Sequence, residues 1–289
     1  MRVDPLATRR RPSRVLGYPP AMPLASVAGR KVYYEVHGDP SPIPLVLVMG
    51  MAGSCRGWLA LQVPELSKRR RTVIFENRGV GESEDPGGPF TSADLADDTA
   101  GLLDALGIER ADVLGAFLGG MAAQELALRH PARVRRLVLV GSYARPDAKR
   151  RFLLEKWREM ARAGMPNSVF VRERLLWTLQ DETLEQRDII EAMVEFFDRG
   201  SAPVSADLFV RQCEACLGHD TLDRLRLIRH ETLVLGGRQD QLTPPRLQRE
   251  LADGIPGARL VTFSYGAHLI LLEAAEKLNQ VVLQFLEEE

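Results

Sequence analysis

The stretch VLGAFLGGMAAQELALRHP, from Val113 to Pro131, carries the pattern G-x-F-x-G, with Gly115 and Gly119 around Phe117. It reads as a buried strand, a glycine-rich turn and an amphipathic helix. A turn of that form ordinarily presents a serine nucleophile at its centre. A hydroxyl there could attack a carbonyl. A phenyl ring cannot, so acyl-enzyme chemistry at position 117 is excluded. The two glycines that so tight a bend needs are nonetheless kept. Its central residue is expected to sit in a strained backbone region, at a cost of about 1–3 kcal/mol. Phe117 is therefore either a single replacement in a complete nucleophile turn, or the floor of a pocket whose chemistry needs no covalent step.

Other residues could supply a nucleophile. Ser54 and Cys55 lie in one glycine-containing loop, and Ser142 ends a strand. Small residues are common in turns, so a structural role is the better expectation for each. Cys55 is the only strong nucleophile of the three, and nothing near it in sequence would lower its pKa. Cys213 and Cys216 form a C-x-x-C pair within a helical pattern. It lacks both the second pair of a zinc site and the βαβ setting of a redox pair. Two reduced thiols on a helix are expected, and an odd cysteine count fits a reducing compartment. His37, His130, His219 and His230 are adequately explained as surface or core histidines. His268 is not. It follows a strand through Gly266 and Ala267, and Asp240 stands at the end of the strand before.

The elements that must position these residues alternate. LASVAG and KVYYEVHG read as an edge hairpin about Gly29. PLVLVMG and RTVIFENRG are continuous apolar runs, as expected of strands covered on both faces. WLALQVPELSKR has helical character interrupted by Pro64. TSADLADDTAGLLDALGI is a helix with Ser92 as its expected N-cap. ADVLGA, then GGMAAQELALRHP, then VRRLVLVGS read as strand, helix, strand. From 143 to 229 the chain is helical and charged. HETLVLGGRQD resumes the strands, PPRLQRELADGI is a helix opened by prolines, ARLVTFSYGAH is the last strand, and EAAEKLNQVVLQFLEEE the last helix. This alternation predicts an α/β fold with a doubly wound, mostly parallel sheet. Residues 23–142 and 230–289 would form the core, and 143–229 a helical cap inserted after the sixth strand, over the carboxyl ends of the strands. Trp157, Trp177, Phe170, Phe196 and Phe197 could line an apolar pocket or form the cap's own core, and helical spacing favours the core. Residues 1–22, rich in Arg and Pro, are expected to be disordered, and Met22 is an alternative start.

Composition sets the bounds. The chain has 289 residues, with 45% hydrophobic and 27% charged, ordinary values for a globular protein. Its core can be large enough to need neither disulfide nor metal. A formal net charge of −1 gives no electrostatic argument for nucleic acid or an anionic membrane. No apolar run approaches a membrane span or a signal peptide. A cytoplasmic protein without cofactor or metal, acting on a small molecule, is expected; the oligomeric state is left open.

Over residues 23–289 the chain resembles the α/β-hydrolase fold family. LVLVMGMAGS is similar to the strand and loop that supply one oxyanion-hole amide. FENRGVGES matches an aromatic-acid-x-R-G-x-G-x-S stretch, with Glu76 where Asp is usual; Arg78 and Glu82 there imply a structural role. LGAFLGGMAAQELALRHPARVRRLVLVGS resembles the elbow, its helix and the next strand. LVLGGRQDQLTPP resembles the segment carrying the triad acid, which implies Asp240. GAHLILLEAAEKLNQVVLQFL resembles the segment carrying the triad histidine, which implies His268. The order nucleophile, acid, histidine is the family's. The resemblance implies that His268 moves a proton, that Asp240 orients it, and that the amides of Leu118 and Met51 face a developing oxyanion. It departs from the family at Phe117.

Two classes of function follow. One is an enzyme on a small, mostly apolar carbonyl compound of ester, lactone, thioester or diketone type. It would be either a hydrolase inactivated at Phe117, or a lyase, cyclase or cofactor-free oxygenase using His268 and Asp240 as a non-covalent base. The other is a non-catalytic small-molecule binding protein of the same fold.

Overall fold

The computed structural model describes residues 23–195 and 204–288. The expectations about residues 1–22, Phe196 and Phe197 lie outside them. The strands are β1 (Leu24–Val27), β2 (Arg30–His37), β3 (Leu45–Val48), β4 (Thr72–Phe75), β5 (Ala111–Ala116), β6 (Val134–Val140), β7 (Glu231–Gly237) and β8 (Arg259–Phe263). The helices are α1 (Val63–Leu66), α2 (Ser92–Ala105), α3 (Leu118–Arg129), α4 (Ala148–Arg162), α5 (Asn167–Thr178), α6 (Asp181–Leu184), α7 (Arg187–Glu195), α8 (Ala206–Gly218), α9 (Pro245–Gly254), α10 (Ile270–Glu273) and α11 (Ala275–Glu287).

Among the described residues the strands form one eight-stranded sheet in the order β1-β2-β4-β3-β5-β6-β7-β8. β2 runs antiparallel to β1 and β4, and the remaining neighbours are parallel. The doubly wound, mostly parallel sheet expected from the alternation is thus present. The hairpin turns through Ala28 and Gly29, both at positive φ. Side chains alternate across the sheet with period two. Val46, Val48, Val73 and Val113 pack on one face, Leu45, Leu47, Ile74 and Leu114 on the other. Both faces are therefore buried, which is why these strands are apolar at most positions, with Thr72 and Asp112 as buried polar exceptions. Between β6 and β7 the described residues carry the helices α4 to α8. Trp157 and Phe170 are buried there, and Phe170 meets Phe209 edge-to-face at 4.9 Å. No helix among the described residues is long and apolar enough to cross a membrane.

One local expectation needs correction. Thr91, not Ser92, caps α2: its hydroxyl accepts from the Asp94 amide, and the Asp94 carboxylate accepts from the Thr91 amide. This reciprocal pair satisfies two end donors at once, so Ser92 is free to bond His219 instead. The interruption expected around Pro64 is present. Cys55–Trp58 forms a 3-10 turn and α1 is four residues long, because proline lacks the N–H to continue a helix from before it.

Gly119 shows how closely α3 sits on the sheet. A Cβ there would lie 2.1 Å from the Val48 carbonyl oxygen and 2.8 Å from that of Met49. Both are backbone atoms that cannot step aside. Gly119→Ala is expected to destabilise the fold by about 3 kcal/mol, at the upper end of overpacking costs. That corresponds to a melting temperature lower by roughly 6 °C or more for a chain of this size. A thermal melt within a degree of the parent would contradict this close approach.

Candidate active site

Each candidate residue sits where a strand ends. Phe117 follows β5 and precedes α3, with φ 59° and ψ −118°. This is a left-handed conformation that a residue bearing a Cβ adopts only under strain. The bend is fixed by its own backbone: the Phe117 amide donates to the Val140 carbonyl at 2.9 Å, and its carbonyl accepts from the Gly120 amide at 3.0 Å. The strained turn is thus present with phenylalanine at its centre.

Asp240 lies in the loop after β7 and His268 in the loop after β8. His268 Nδ1 stands 3.0 Å from Asp240 Oδ2. Asp240 is fully engaged. Its Oδ1 accepts from the amides of Leu242 (2.8 Å) and Thr243 (2.6 Å), and its Oδ2 from the Thr243 hydroxyl (2.5 Å). Burial by itself would raise the pKa of this carboxyl. The charge of His268 and the hydrogen bonds from His268 and Thr243 outweigh burial and hold it below the usual carboxylate value. An ionised acceptor at Nδ1 places the imidazole's other nitrogen, Nε2, as the one free to take a proton.

Phe117 covers this histidine. The two ring centroids are 4.2 Å apart and tilted by 32°. Space for the phenyl comes from two glycines. A Cβ at Gly50 would lie 2.6 Å from the phenyl Cδ2, and one at Gly141 2.9 Å from its Cε1. Phe117, His268 and Asp240 are therefore brought together, and Leu118 supplies the first amide of α3, where helical N–H groups lack intrahelical acceptors.

Met51 lies in the loop after β3, which is tied on two sides. From the turn after β4, Asn77 Nδ2 donates to the Met49 carbonyl (2.8 Å), while Glu76 accepts from the Ser54 hydroxyl (2.5 Å) and the Cys55 amide (2.7 Å). Burial pushes the Glu76 carboxyl up despite those bonds. From α8, Gln212 Oε1 accepts from the Ala52 amide at 2.8 Å, and Cys213 Sγ lies 3.9 Å from Met51 Sδ.

The other candidate nucleophiles are accounted for structurally. Cys55 is buried and its thiol is pushed far up by burial. Ser142 donates to the Phe117 carbonyl and accepts from Gln124. Arg78 pairs with Asp98 and covers Phe90, the turn-fixing role expected of it. Cys213 and Cys216 are free buried thiols on α8; burial pushes Cys216 up to about 12.

Four residues had not been singled out. Thr243 completes an Asp-x-x-Thr turn, a spacing that could have flagged it. Gln180 accepts from the Gly266 amide (2.7 Å), and Glu273 from the Ala267 amide (2.7 Å), so both hold the histidine loop. Gln180 and Gln212 reach the site from the helical segment, and no local pattern marks such distant contacts.

His219 belongs to the fold rather than the site. It is buried, with its pKa lowered to about 3 by desolvation and by the nearby Arg224 charge. The native state therefore leaves it neutral where the unfolded chain takes up a proton. Stability is expected to fall as pH drops below about 6.5, by up to about 1.4 kcal/mol per unit from this group. Equilibrium unfolding from pH 7 to 5 checks this: the slope should flatten in His219→Gln, and an unchanged slope would exclude His219 as its source.

A family model described as alpha/beta hydrolase fold matches residues 43–275. RutD of Azorhizobium caulinodans, a candidate carbamate hydrolase, is 31% identical over 91% of this chain and 98% of its own. The candidate non-heme bromoperoxidase BpoC of Mycobacterium tuberculosis is 32% identical over 87% of this chain and 96% of its own. The crystal structure of the enol-lactonase of Burkholderia xenovorans superposes with a TM-score of 0.84 at 29% identity, covering 92% of this chain and 100% of that one.

Proposed function

The chain belongs to the alpha/beta hydrolase fold family, and on that premise we propose that it is a hydrolase scaffold for small carbonyl compounds whose covalent step is blocked at Phe117. The substrate class is an ester, lactone or diketone, a C=O that water can attack once a nucleophile or base is at hand. Relatives named for a carbamate and an enol-lactone point to the same bond type. In this reading His268 is the base, Asp240 holds its tautomer, and the amides of Leu118 and Met51 stabilise the oxyanion. Residues 143–229 are the cap over the strand ends, and the protein is cytoplasmic.

The observation that carries the reading is Phe117 in a strained elbow, with its ring against a histidine that still has its acid. Strain of that kind persists where the surroundings over-determine it. The phenyl also lies where a substrate proton would have to approach the imidazole, so non-covalent base catalysis is the poorer reading. The same cover favours a second one, a non-catalytic holder of a small molecule. Phe117→Ser assayed on p-nitrophenyl esters separates the two: a gain of turnover supports the scaffold, and none, with ligand affinity indifferent to His268→Ala, supports the binder.

A further inference from the structure

A cavity of about 570 Å³ opens between the start of α4, residues 179–181 and the acid loop, 238–246. Its wall includes Asp240 but neither Phe117 nor His268. Lys149, Arg150, Arg238 and Arg246 surround it; the acids on its wall are Asp181 and Asp240, and Asp240 is already committed to His268.

Two buried donors on this wall have no acceptor. Arg150 is 2% exposed, and its Nε and Nη1 lack hydrogen-bond partners. The carboxylate beside it is occupied elsewhere. Asp147 Oδ1 forms an ion pair with Arg150 Nε at 3.1 Å without a hydrogen bond to it; that oxygen accepts from the Arg150 backbone amide, and Oδ2 pairs with Arg246. Gln180 is 1% exposed. Its Oε1 accepts from the Gly266 amide, which fixes the opposite atom, Nε2, as a donor, and Nε2 is unpartnered. Buried donors are normally satisfied, and a buried cation especially so. A guanidinium and an amide N–H on one wall call for an acceptor with several lone pairs and a negative charge. Carboxylate and phosphate have both, and arginine matches either geometrically.

We propose that this cavity binds the oxyanion of a small molecule, a carboxylate or phosphate, through Arg150 and Gln180, with Lys149, Arg238 and Arg246 at its rim. The volume leaves space for a carbon skeleton beside the anionic group. Gln180 also holds Gly266, two residues before His268, so the occupant shares a wall with the histidine loop. The site stands without any reaction at His268. The anion is either a free ligand or the acid end of the substrate.

The test is calorimetric titration of the full chain with inorganic phosphate and with succinate. Saturable binding is expected, weakened about tenfold or more in Arg150→Gln and in Gln180→Glu. Gln180→Glu keeps the acceptor for Gly266 and so serves if Arg150→Gln misfolds; circular dichroism checks both. Absence of binding by either anion, or equal binding by parent and folded variants, overturns the proposal. The source is read in Phe117→Ser. A preference for p-nitrophenyl hemisuccinate over p-nitrophenyl butyrate, erased by Arg150→Gln, marks the acid end of a substrate. No preference, with phosphate still bound, marks a free ligand. If neither ester is hydrolysed, the proposed function fails and the titration still decides the anion site.

Discussion

Phe117→Ser is expected to raise hydrolysis of p-nitrophenyl acetate by at least about 10³-fold over the parent. In serine hydrolases, loss of the nucleophile removes up to roughly 10⁶ in kcat, and an oxyanion hole alone leaves about 10³–10⁴ over water. A restored hydroxyl would enter an elbow already bent to φ 59° and would stand toward a histidine already paired with Asp240 at 3.0 Å. Nothing in the backbone must be rebuilt. The substitution acts in two ways: it adds a hydroxyl and it removes the ring that covers His268. Phe117→Ala separates them: it uncovers the imidazole without adding a nucleophile, and should gain little. Equal gains in the two variants would move the chemistry to His268 acting on water. No gain in either would remove the hydrolase scaffold as the explanation.

The second large effect is conditional on the first. In the Phe117→Ser background, Asp240→Asn is expected to lower kcat by about 10⁴-fold, the order seen when the acid of a Ser-His-Asp arrangement becomes an amide. An asparagine can keep the amide bonds of Leu242 and Thr243 through its oxygen, so the loop should stay folded. It can also turn its NH₂ to His268 Nδ1 and stabilise the wrong tautomer. The measurement is the pre-steady-state burst of p-nitrophenolate, with a thermal melt as control. A loss under tenfold in a folded variant would show that Asp240 is not the orienting acid. The Asp240 carboxyl is held below its ordinary value, so activity of the serine variant should not be limited by its protonation at mildly acidic pH.

Sequence-level reading reached different depths in different parts of the molecule. The buried strands were legible because a parallel sheet covered on both faces makes nearly every residue apolar, as in Leu45–Val48 and residues 73–75. His268 and Asp240 were legible because each follows a strand through a short loop, and Phe117 because glycines bracket it. The supports were not. Gln212 reaches Ala52 across 160 residues of chain, and Gln180 reaches Gly266 across 86. A glutamine on a helix carries no sign of what it will touch. Thr91 and Ser92 are both good capping types, and only the Asp94 carboxylate decides between them. The ring over His268 was equally out of reach: it depends on the space left by Gly50 and Gly141, which lie far from Phe117 in the chain.

That space has a consequence for how this chain can change through time. The phenyl ring is accommodated by glycines already present, and the bend beneath it owes nothing to the side chain it carries. Serine codons of the form TCT or TCC become phenylalanine codons by one base change, and return by the same step. No second mutation is needed to reopen the turn, since the elbow, acid and histidine are held by bonds that do not involve residue 117's side chain. Phenylalanine and serine at position 117 are therefore a single nucleotide apart, and a selection for ester cleavage would be expected to find its first variants at this codon.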